Sequence, residues 1–124
     1  MGNFTFSKHE RLSKKKEIES LFAQGKSFNL PPLRVISKPN PDQSILNHQV
    51  LFTVPTRNFK RAVDRNLIKR RLREAYRLNK SKLTLATKLL VAYIFTAKNI
   101  LPYKIIEEKL VQSLNKLNES KQSH

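Results

Sequence analysis

Residues Phe59–Arg77 read FKRAVDRNLIKRRLREAYR, and the spacing of the basic residues in this stretch predicts an amphipathic helix. At ~100° per residue, one arc of roughly 140° collects six polar residues. They are Arg65, Asn66, Lys69, Arg70, Arg73 and Arg77. The neighbouring arc collects Ile68, Leu72, Ala75 and Tyr76. One face is therefore suited to a core, and the other to a run of phosphates, because guanidinium groups bind phosphate oxygens two at a time.

The charge of the whole chain points in the same direction. Its 124 residues carry 25 Lys and Arg against 9 Asp and Glu, a formal net charge of +16 with a pI near 10.5. Such a charge opposes compaction unless a polyanion neutralises it. The hydrophobic content of 39% is enough for one modest core. We expect a single RNA-binding domain over 1–124, folded from about 11 to 118, with flexible ends at 1–10 and 119–124.

Several classes of protein are disfavoured by what the sequence lacks. It has no Cys, which removes disulfide frameworks and sulfur-based zinc sites and fits a reducing compartment. The N-terminal residues include no apolar signal region, and the longest apolar run, Leu89–Phe95, is too short to span a bilayer. We therefore expect a soluble, cytoplasmic protein with no membrane partner.

On the N-terminal side of the basic stretch, the pattern predicts one helix and then strands. Ser13 is a candidate N-cap for a helix with Ile18, Leu21 and Phe22 at core spacing, and Gly25 is suited to its C′ position. From Lys26 to Pro55 the pattern is that of β-structure.

Alternating apolar residues mark two strand segments, one with Leu33 and Val35 and one over 50–54. The intervening KPNPDQS, 38–44, has the composition of a turn that joins neighbouring strands. Pro31 and Pro32 are expected to confine the first strand to an edge or to a short piece.

On the C-terminal side, LLVAYIF (Leu89–Phe95) predicts a strand that is buried on both faces. Pro102 then marks the start of a helix, in which Ile106, Leu110, Leu114 and Leu117 recur on one side. The predicted order of elements is helix, strands, helix, strand, helix. This order favours an α+β sandwich with a small mixed sheet.

The segment AVDRNLIKRRLREAYR (62–77) resembles the signature of the bacterial ribonuclease P protein component. The resemblance rests on an Arg-Asn core followed by Lys-Arg and a further Arg, and it extends from about Arg11 to the end of the last helix. The matching positions are Ala62, Val63, Arg65, Asn66, Lys69, Arg70 and Arg73. One departure is Leu67, where the family usually has Arg, so that one RNA contact is either absent or provided by Arg61 or Arg71.

The resemblance implies an αβββαβα fold with a left-handed crossover between parallel strands, the less common hand. It also implies the small subunit of a ribozyme holoenzyme, which removes the 5′ leader from precursor tRNA. Its partners would be the catalytic RNA subunit and the leader, and its Mg²⁺ would be bound through the RNA. The candidate RNA-binding residues are Arg57, Lys60, Arg61, Arg65, Asn66, Lys69, Arg70, Arg73 and Arg77.

The chain offers no evident catalytic group of its own. His9, His48 and His124 lie far apart and are expected at the surface or in turns, and Glu107 and Glu108 are expected to be solvated helix charges. Metal-binding and catalytic residues are therefore not assigned to the protein itself, which is expected to be inactive without the RNA.

By resemblance, a cleft between the first helix and the sheet holds the leader, and Ile18, Phe22 and Ile36 are its candidate walls. Core packing is an equally good interpretation for each of them. Tyr93 is ambiguous in the same way, since single-stranded RNA is commonly bound by stacking on exposed rings.

Three other functions compete with this one. A ribosomal protein or RNA chaperone would be equally small and basic, but it would not require the RNxxKRRxR constellation. A DNA-binding regulator would place Arg65–Arg77 in a groove, yet the sequence predicts no short second helix one turn away. DNA is therefore not expected as a partner. An autonomous nuclease has the least support.

Overall fold

The computed structural model describes residues 6–119, which form three α-helices and four β-strands. The elements in chain order are α1 (Lys15–Gln24), β1 (Lys26–Leu30), β2 (Leu33–Pro39), β3 (Gln49–Thr53), α2 (Ala62–Asn79), β4 (Leu89–Phe95) and α3 (Tyr103–Glu119). The αβββαβα order and the α+β class are those predicted, and α2 covers most of the basic stretch. No helix within 6–119 is both long and apolar enough to cross a bilayer.

The sheet has the order β1-β2-β4-β3, with β4 in its interior. β1 and β2 are antiparallel, as are β2 and β4, while β3 runs parallel to β4. The prediction that 38–44 joins neighbouring strands is wrong, because β4 lies between β2 and β3. The strand that contains Leu33 and Val35 is also not at an edge. The two edge strands are β1 and β3, and Pro31 and Pro32 separate β1 from β2.

The parallel pair β3 and β4 is connected through α2, as a β-α-β crossover requires. In this parallel pair, Val50 lies opposite Val91 and Phe52 lies opposite Tyr93. The element order and the parallel pairing of the predicted crossover are confirmed. Its left hand stays a prediction from the resemblance.

Side chains alternate across the sheet and form two separate cores. On one face, α2 and α3 cover alternate residues of β4, among them Val91 and Tyr93, in a cluster of nineteen buried residues. On the other face, α1 covers Leu90 and Ala92 in a cluster of only five. β4 is thus buried on both faces, as its apolar run predicted, with only Ile94 partly exposed.

The ends of α1 differ in detail from the prediction. The N-cap is Lys14 rather than Ser13, and it makes no side-chain capping bond. Gly25 ends the helix in an extended conformation (φ −71°, ψ 155°) rather than a left-handed one. A Cβ at this position would lie 2.6 Å from Cγ2 of Ile36 and 2.5 Å from the Leu21 carbonyl oxygen, so the glycine is required by close packing against β2.

The N-terminal segment is packed from Phe6 onward, although we expected flexibility up to residue 10. The Phe6 ring makes edge contacts with Phe52 and Tyr76, at centroid distances of 5.6 and 5.7 Å. Glu10 is buried and forms an ion pair of 2.6 Å with Lys80. At the other end, Glu119 is the last residue of α3. The remaining residues predicted to be flexible, 1–5 and 120–124 with His124, lie outside the described residues.

Candidate RNA interface

The two faces of α2 have the predicted characters. Ile68, Leu72, Ala75 and Tyr76 are buried against the sheet and α3. On the other side, Asn66 and Arg70 are exposed, while Lys69 and Arg73 are half-buried. We call these last four residues, with Arg65, the basic face of α2. Arg57, Lys60 and Arg61 are exposed in the segment that leads into the helix.

Arg65 differs from its neighbours because its guanidinium is used within the fold. One terminal nitrogen, Nη1, donates to the backbone oxygens of Phe59 and Lys60, at 2.7 and 2.9 Å. These bonds tie the helix to the segment that carries Lys60 and Arg61. We therefore interpret Arg65 as a residue that positions neighbouring cations, in addition to its predicted role as a phosphate ligand.

Two other arginines of α2 also make contacts within the protein. Arg77 forms an ion pair with Glu74, and its hydrogen bond lowers the pKa of that carboxyl group. Nη1 of Arg71 donates to the Leu101 carbonyl oxygen, just before α3. Of the two residues considered as substitutes for the family's Arg at position 67, Arg71 is therefore occupied, whereas Arg61 is exposed.

The leader cleft predicted between α1 and the sheet, here called the α1 cleft, lies where side chains around the small core remain partly accessible. Leu21 points into the small core and is fully buried, whereas Phe22 has 45% of its surface exposed and Ile18 is half-buried. Ile36 lies beneath the helix with 4% exposed. Among the three candidate walls, Phe22 offers an open ring, Ile18 contributes an edge, and Ile36 belongs mainly to the core.

The other residues around the α1 cleft include two half-buried apolar side chains and two cations. Leu51 and Ile94 pack against the small core and remain half-buried. The exposed Arg34 pairs with Ile94 across the strands. Lys38 holds α1 in place, because its Nζ donates to Ser20 Oγ at 2.7 Å and to Gln24 Oε1 at 3.1 Å. A floor of this kind, beside an open aromatic ring, can accept the bases of an extended RNA strand.

Several polar residues turn out to have structural roles. Tyr93 is fully buried, its hydroxyl group pairs with Ser113 at 2.7 Å, and burial raises its pKa. It cannot stack on RNA. Glu107, which we expected to be solvated, accepts hydrogen bonds from Asn79 and Tyr103 at 2.9 and 3.1 Å and so joins α3 to the end of α2. Glu108 is exposed, as expected.

The histidines provide no catalytic arrangement in the described residues. His9 is exposed, whereas His48 is half-buried and its Nδ1 accepts the Leu89 amide at 3.0 Å. Burial, with a smaller effect of Lys88, lowers the pKa of His48 to about 4. Within 6–119, no three His, Asp or Glu side chains are grouped closely enough to hold a metal ion.

One site feature was missed at the level of sequence. Arg11 lies in a cleft with Lys69 and Arg73, although about sixty residues separate it from them in the chain. The only sequence signal was the Arg-Leu pair at 11–12, and nothing in its local pattern indicates which part of the sheet it meets.

The fold and this surface define a small, strongly basic α+β protein in which one helix, α2, presents a basic face beside the sheet. Residues 6–118 match the family Ribonuclease P. The chain therefore belongs to the ribonuclease P protein family.

Individual relatives agree with this assignment. The chain is 34% identical over 116 residues to the ribonuclease P protein component of Porphyromonas gingivalis, covering 90% of this chain and 85% of that protein. It is 44% identical over 75 residues to the one from Chlorobaculum tepidum, covering 58% and 49%. The solved structure of the ribonuclease P protein from Thermotoga maritima has a TM-score of 0.72 at 24% identity, covering 90% of this chain and 98% of that one. The Staphylococcus aureus protein gives 0.72 at 22%, covering 87% and 96%.

Proposed function

We propose that this chain is the protein subunit of ribonuclease P, which binds the catalytic RNA and the 5′ leader of precursor tRNA and promotes removal of the leader. The observation that carries the proposal is the arrangement of two surfaces on one rigid fold. The basic face of α2 is suited to the phosphates of a structured RNA. The α1 cleft, with its open Phe22 ring, is suited to a single strand.

In this proposal the protein contributes charge and geometry. Two RNA molecules repel each other, and a protein with a net charge of +16 reduces that repulsion where they meet. The phosphodiester hydrolysis is assigned to the RNA and to the Mg²⁺ that the RNA binds. No step is assigned to a metal ion held by the protein. We also infer a cytoplasmic location, because precursor tRNA is found there in a bacterial cell.

A Mg²⁺ titration tests the proposal. Precursor tRNA with a labelled leader is incubated with a catalytic RNA of the ribonuclease P type, with and without this protein, at a series of Mg²⁺ concentrations. We expect the protein to be required at low Mg²⁺ and its benefit to shrink at high Mg²⁺, because divalent ions then neutralise the phosphates themselves.

Two controls test whether the protein cuts RNA by itself and whether its charge alone explains the benefit. The protein without RNA should cut nothing, and a polyamine at the same total charge should give a smaller benefit, because it has no leader cleft. Site-specific leader removal by the RNA-free protein would contradict the proposal. So would equal help from protein and polyamine, which is the result expected of a general RNA chaperone.

A further inference from the structure

A cleft at the β3 edge of the sheet has a volume of about 290 Å³ and receives residues from three parts of the chain. The segment before α1 contributes Arg11 and Ser13, α2 contributes Lys69 and Arg73, and β3 contributes Leu51 and Phe52. It is therefore bordered by the basic face of α2 and by the strand that ends the sheet. We call it the edge cleft.

The charges around the edge cleft favour an anion. It is lined by three cations, and none of the described residues that line it is acidic. Within 6–119, the charged side-chain groups of Arg11, Lys69 and Arg73 make no hydrogen bond or ion pair, in contrast to those of Arg65, Arg71 and Arg77. Three cations around one space repel each other, and a bound anion relieves that repulsion.

Arg11 is held in place by contacts on both sides. The Leu12 amide donates to the Val50 carbonyl oxygen at 3.0 Å, and Arg11 forms a parallel bridge with Val50. Its guanidinium lies 5.8 Å from the centre of the Phe6 ring, a cation–π contact. Since the backbone is fixed by β3 and the side chain rests on a packed ring, little conformational entropy remains to be lost on binding.

The edge cleft also connects the two surfaces of the proposed function. Val50 and Phe52 belong to the core under α2 and α3, while Leu12 and Leu51 belong with the core under α1. An RNA strand that passes through the edge cleft would thus move from one face of the sheet to the other. A ligand of the edge cleft must fit a volume of about 290 Å³ and must be anionic. A ligand that also reaches both surfaces must be part of a continuous polymer.

We propose that Arg11, Lys69 and Arg73 form a site for one phosphodiester group of a single RNA strand, which crosses the β3 edge between the basic face of α2 and the α1 cleft. Ser13 supplies a hydroxyl donor at the same place. This inference rests on the proposed function and adds to it a fixed crossing point, with Arg11 as a binding residue.

A coupling experiment tests the site in the assembled holoenzyme. In one set of precursor tRNAs, single leader phosphates and those flanking the cleavage site are replaced, one at a time, by neutral methylphosphonate. Each RNA is bound to holoenzymes that contain the wild-type protein, Arg11→Gln or Lys104→Gln. Gln retains part of the aliphatic stem of Arg11 over Phe6, and Lys104 is an exposed lysine on α3 that serves as a matched charge control.

With the wild-type protein, one methylphosphonate position should weaken binding about tenfold, as loss of a charge-assisted hydrogen bond predicts. With Arg11→Gln, the same position should cost less than about twofold, because its partner is already absent. With Lys104→Gln, the tenfold cost should remain. Arg73→Gln should behave as Arg11→Gln does, which keeps the test valid if one variant folds poorly.

The proposal is overturned if no position loses its cost in both Arg11→Gln and Arg73→Gln while keeping it in Lys104→Gln. It is also overturned if inorganic phosphate at the same ionic strength abolishes the coupling without displacing the RNA, because the ligand would then be a free anion. Wild-type stimulation at low Mg²⁺ is measured in parallel. Stimulation without coupling removes only the edge cleft, whereas a lack of stimulation removes the proposed function itself.

Discussion

The two faces of the sheet differ in how completely helices cover them. The face under α2 and α3 is closed, with nineteen buried residues and the stacked pair Phe52 and Tyr93 at 5.6 Å. The face under α1 has five buried residues and leaves Phe22, Leu51 and Ile94 partly accessible. Because burial of apolar side chains is the main source of stability, we expect the face under α2 and α3 to supply most of it. The other face can then keep apolar surface available for a ligand.

The largest expected effect lies in the closed face. Leu110→Ala removes a fully buried side chain of α3 and should lower the free energy of unfolding by about 3 kcal/mol, through lost burial and the cavity that remains. Urea unfolding measures this loss. Ile105→Ala, at a position on the same helix that is 40% exposed, is the matched control and should cost less than about 1 kcal/mol. Equal losses would show that the closed face is not the main source of stability.

Phe22→Ala tests the open face. Because the ring is 45% exposed, we expect a loss of stability below about 1 kcal/mol, much smaller than for a buried Phe. The affinity of the holoenzyme for precursor tRNA should fall by roughly 1–3 kcal/mol, the usual range for base stacking. Mature tRNA, which lacks a leader, is the control and should bind unchanged. A similar loss of affinity for both RNAs, with a lowered melting temperature, would show that Phe22 contributes to the core and not to leader binding.

The next prediction separates charge from position on the basic face of α2. Arg65→Lys keeps the charge, but an ammonium does not reproduce the guanidinium's planar fork, which here donates to two carbonyl oxygens. RNA affinity should therefore fall about as far as in Arg65→Ala, by roughly 1 kcal/mol. Arg70→Lys is the control, since Arg70 is exposed and its charge alone should suffice. Wild-type affinity in Arg65→Lys would mean that Arg65 acts only as a charge.

The last prediction concerns pH and His48, just before β3. His48 is neutral when it accepts the Leu89 amide, and its pKa of about 4 in the folded state lies below the ordinary value of 6.5. The unfolded chain therefore binds more protons between these values, so stability should fall as the pH drops from about 6.5 to about 4. His48→Gln should show a flatter pH profile over this window in urea unfolding. Parallel profiles for the two proteins would exclude His48 as the cause.

Much of this architecture could be predicted from periodicity. The arcs of α2 and the apolar run of β4 depend on local spacing, and both were confirmed. The order of the strands was wrong, because nothing local in KPNPDQS indicates that β4, about fifty residues further on, will lie between β2 and β3. The same limit applies to Arg11, which meets Lys69 and Arg73 only through the pairing of its segment with β3.

The exposure and the bonding partners of individual helical side chains could not be predicted from the spacing of apolar and basic residues. Leu21 and Phe22 are adjacent and both fit core spacing, yet one is fully buried and the other is nearly half exposed, since the axial rotation of α1 is set by its contact with β2. The close approach of Gly25 to Ile36 fixes that contact. Likewise, the basic residues of α2 have similar helical positions, but backbone carbonyls from the preceding loop are within reach of Arg65 alone among the basic face residues.

The interior position of β4 has a consequence for synthesis on the ribosome. The β1–β2 hairpin can form early, but the pairing of β3 is with β4 and, through one bridge, with Arg11. Helix α2, which carries six of the chain's 25 Lys and Arg residues, therefore emerges from the ribosome before the strand that completes its support. A nascent chain that stops before Leu89 lacks β4, the strand that contributes residues to both cores, so the sheet closes only late in translation. Until then, the basic face of α2 is exposed to cellular RNA without its native scaffold.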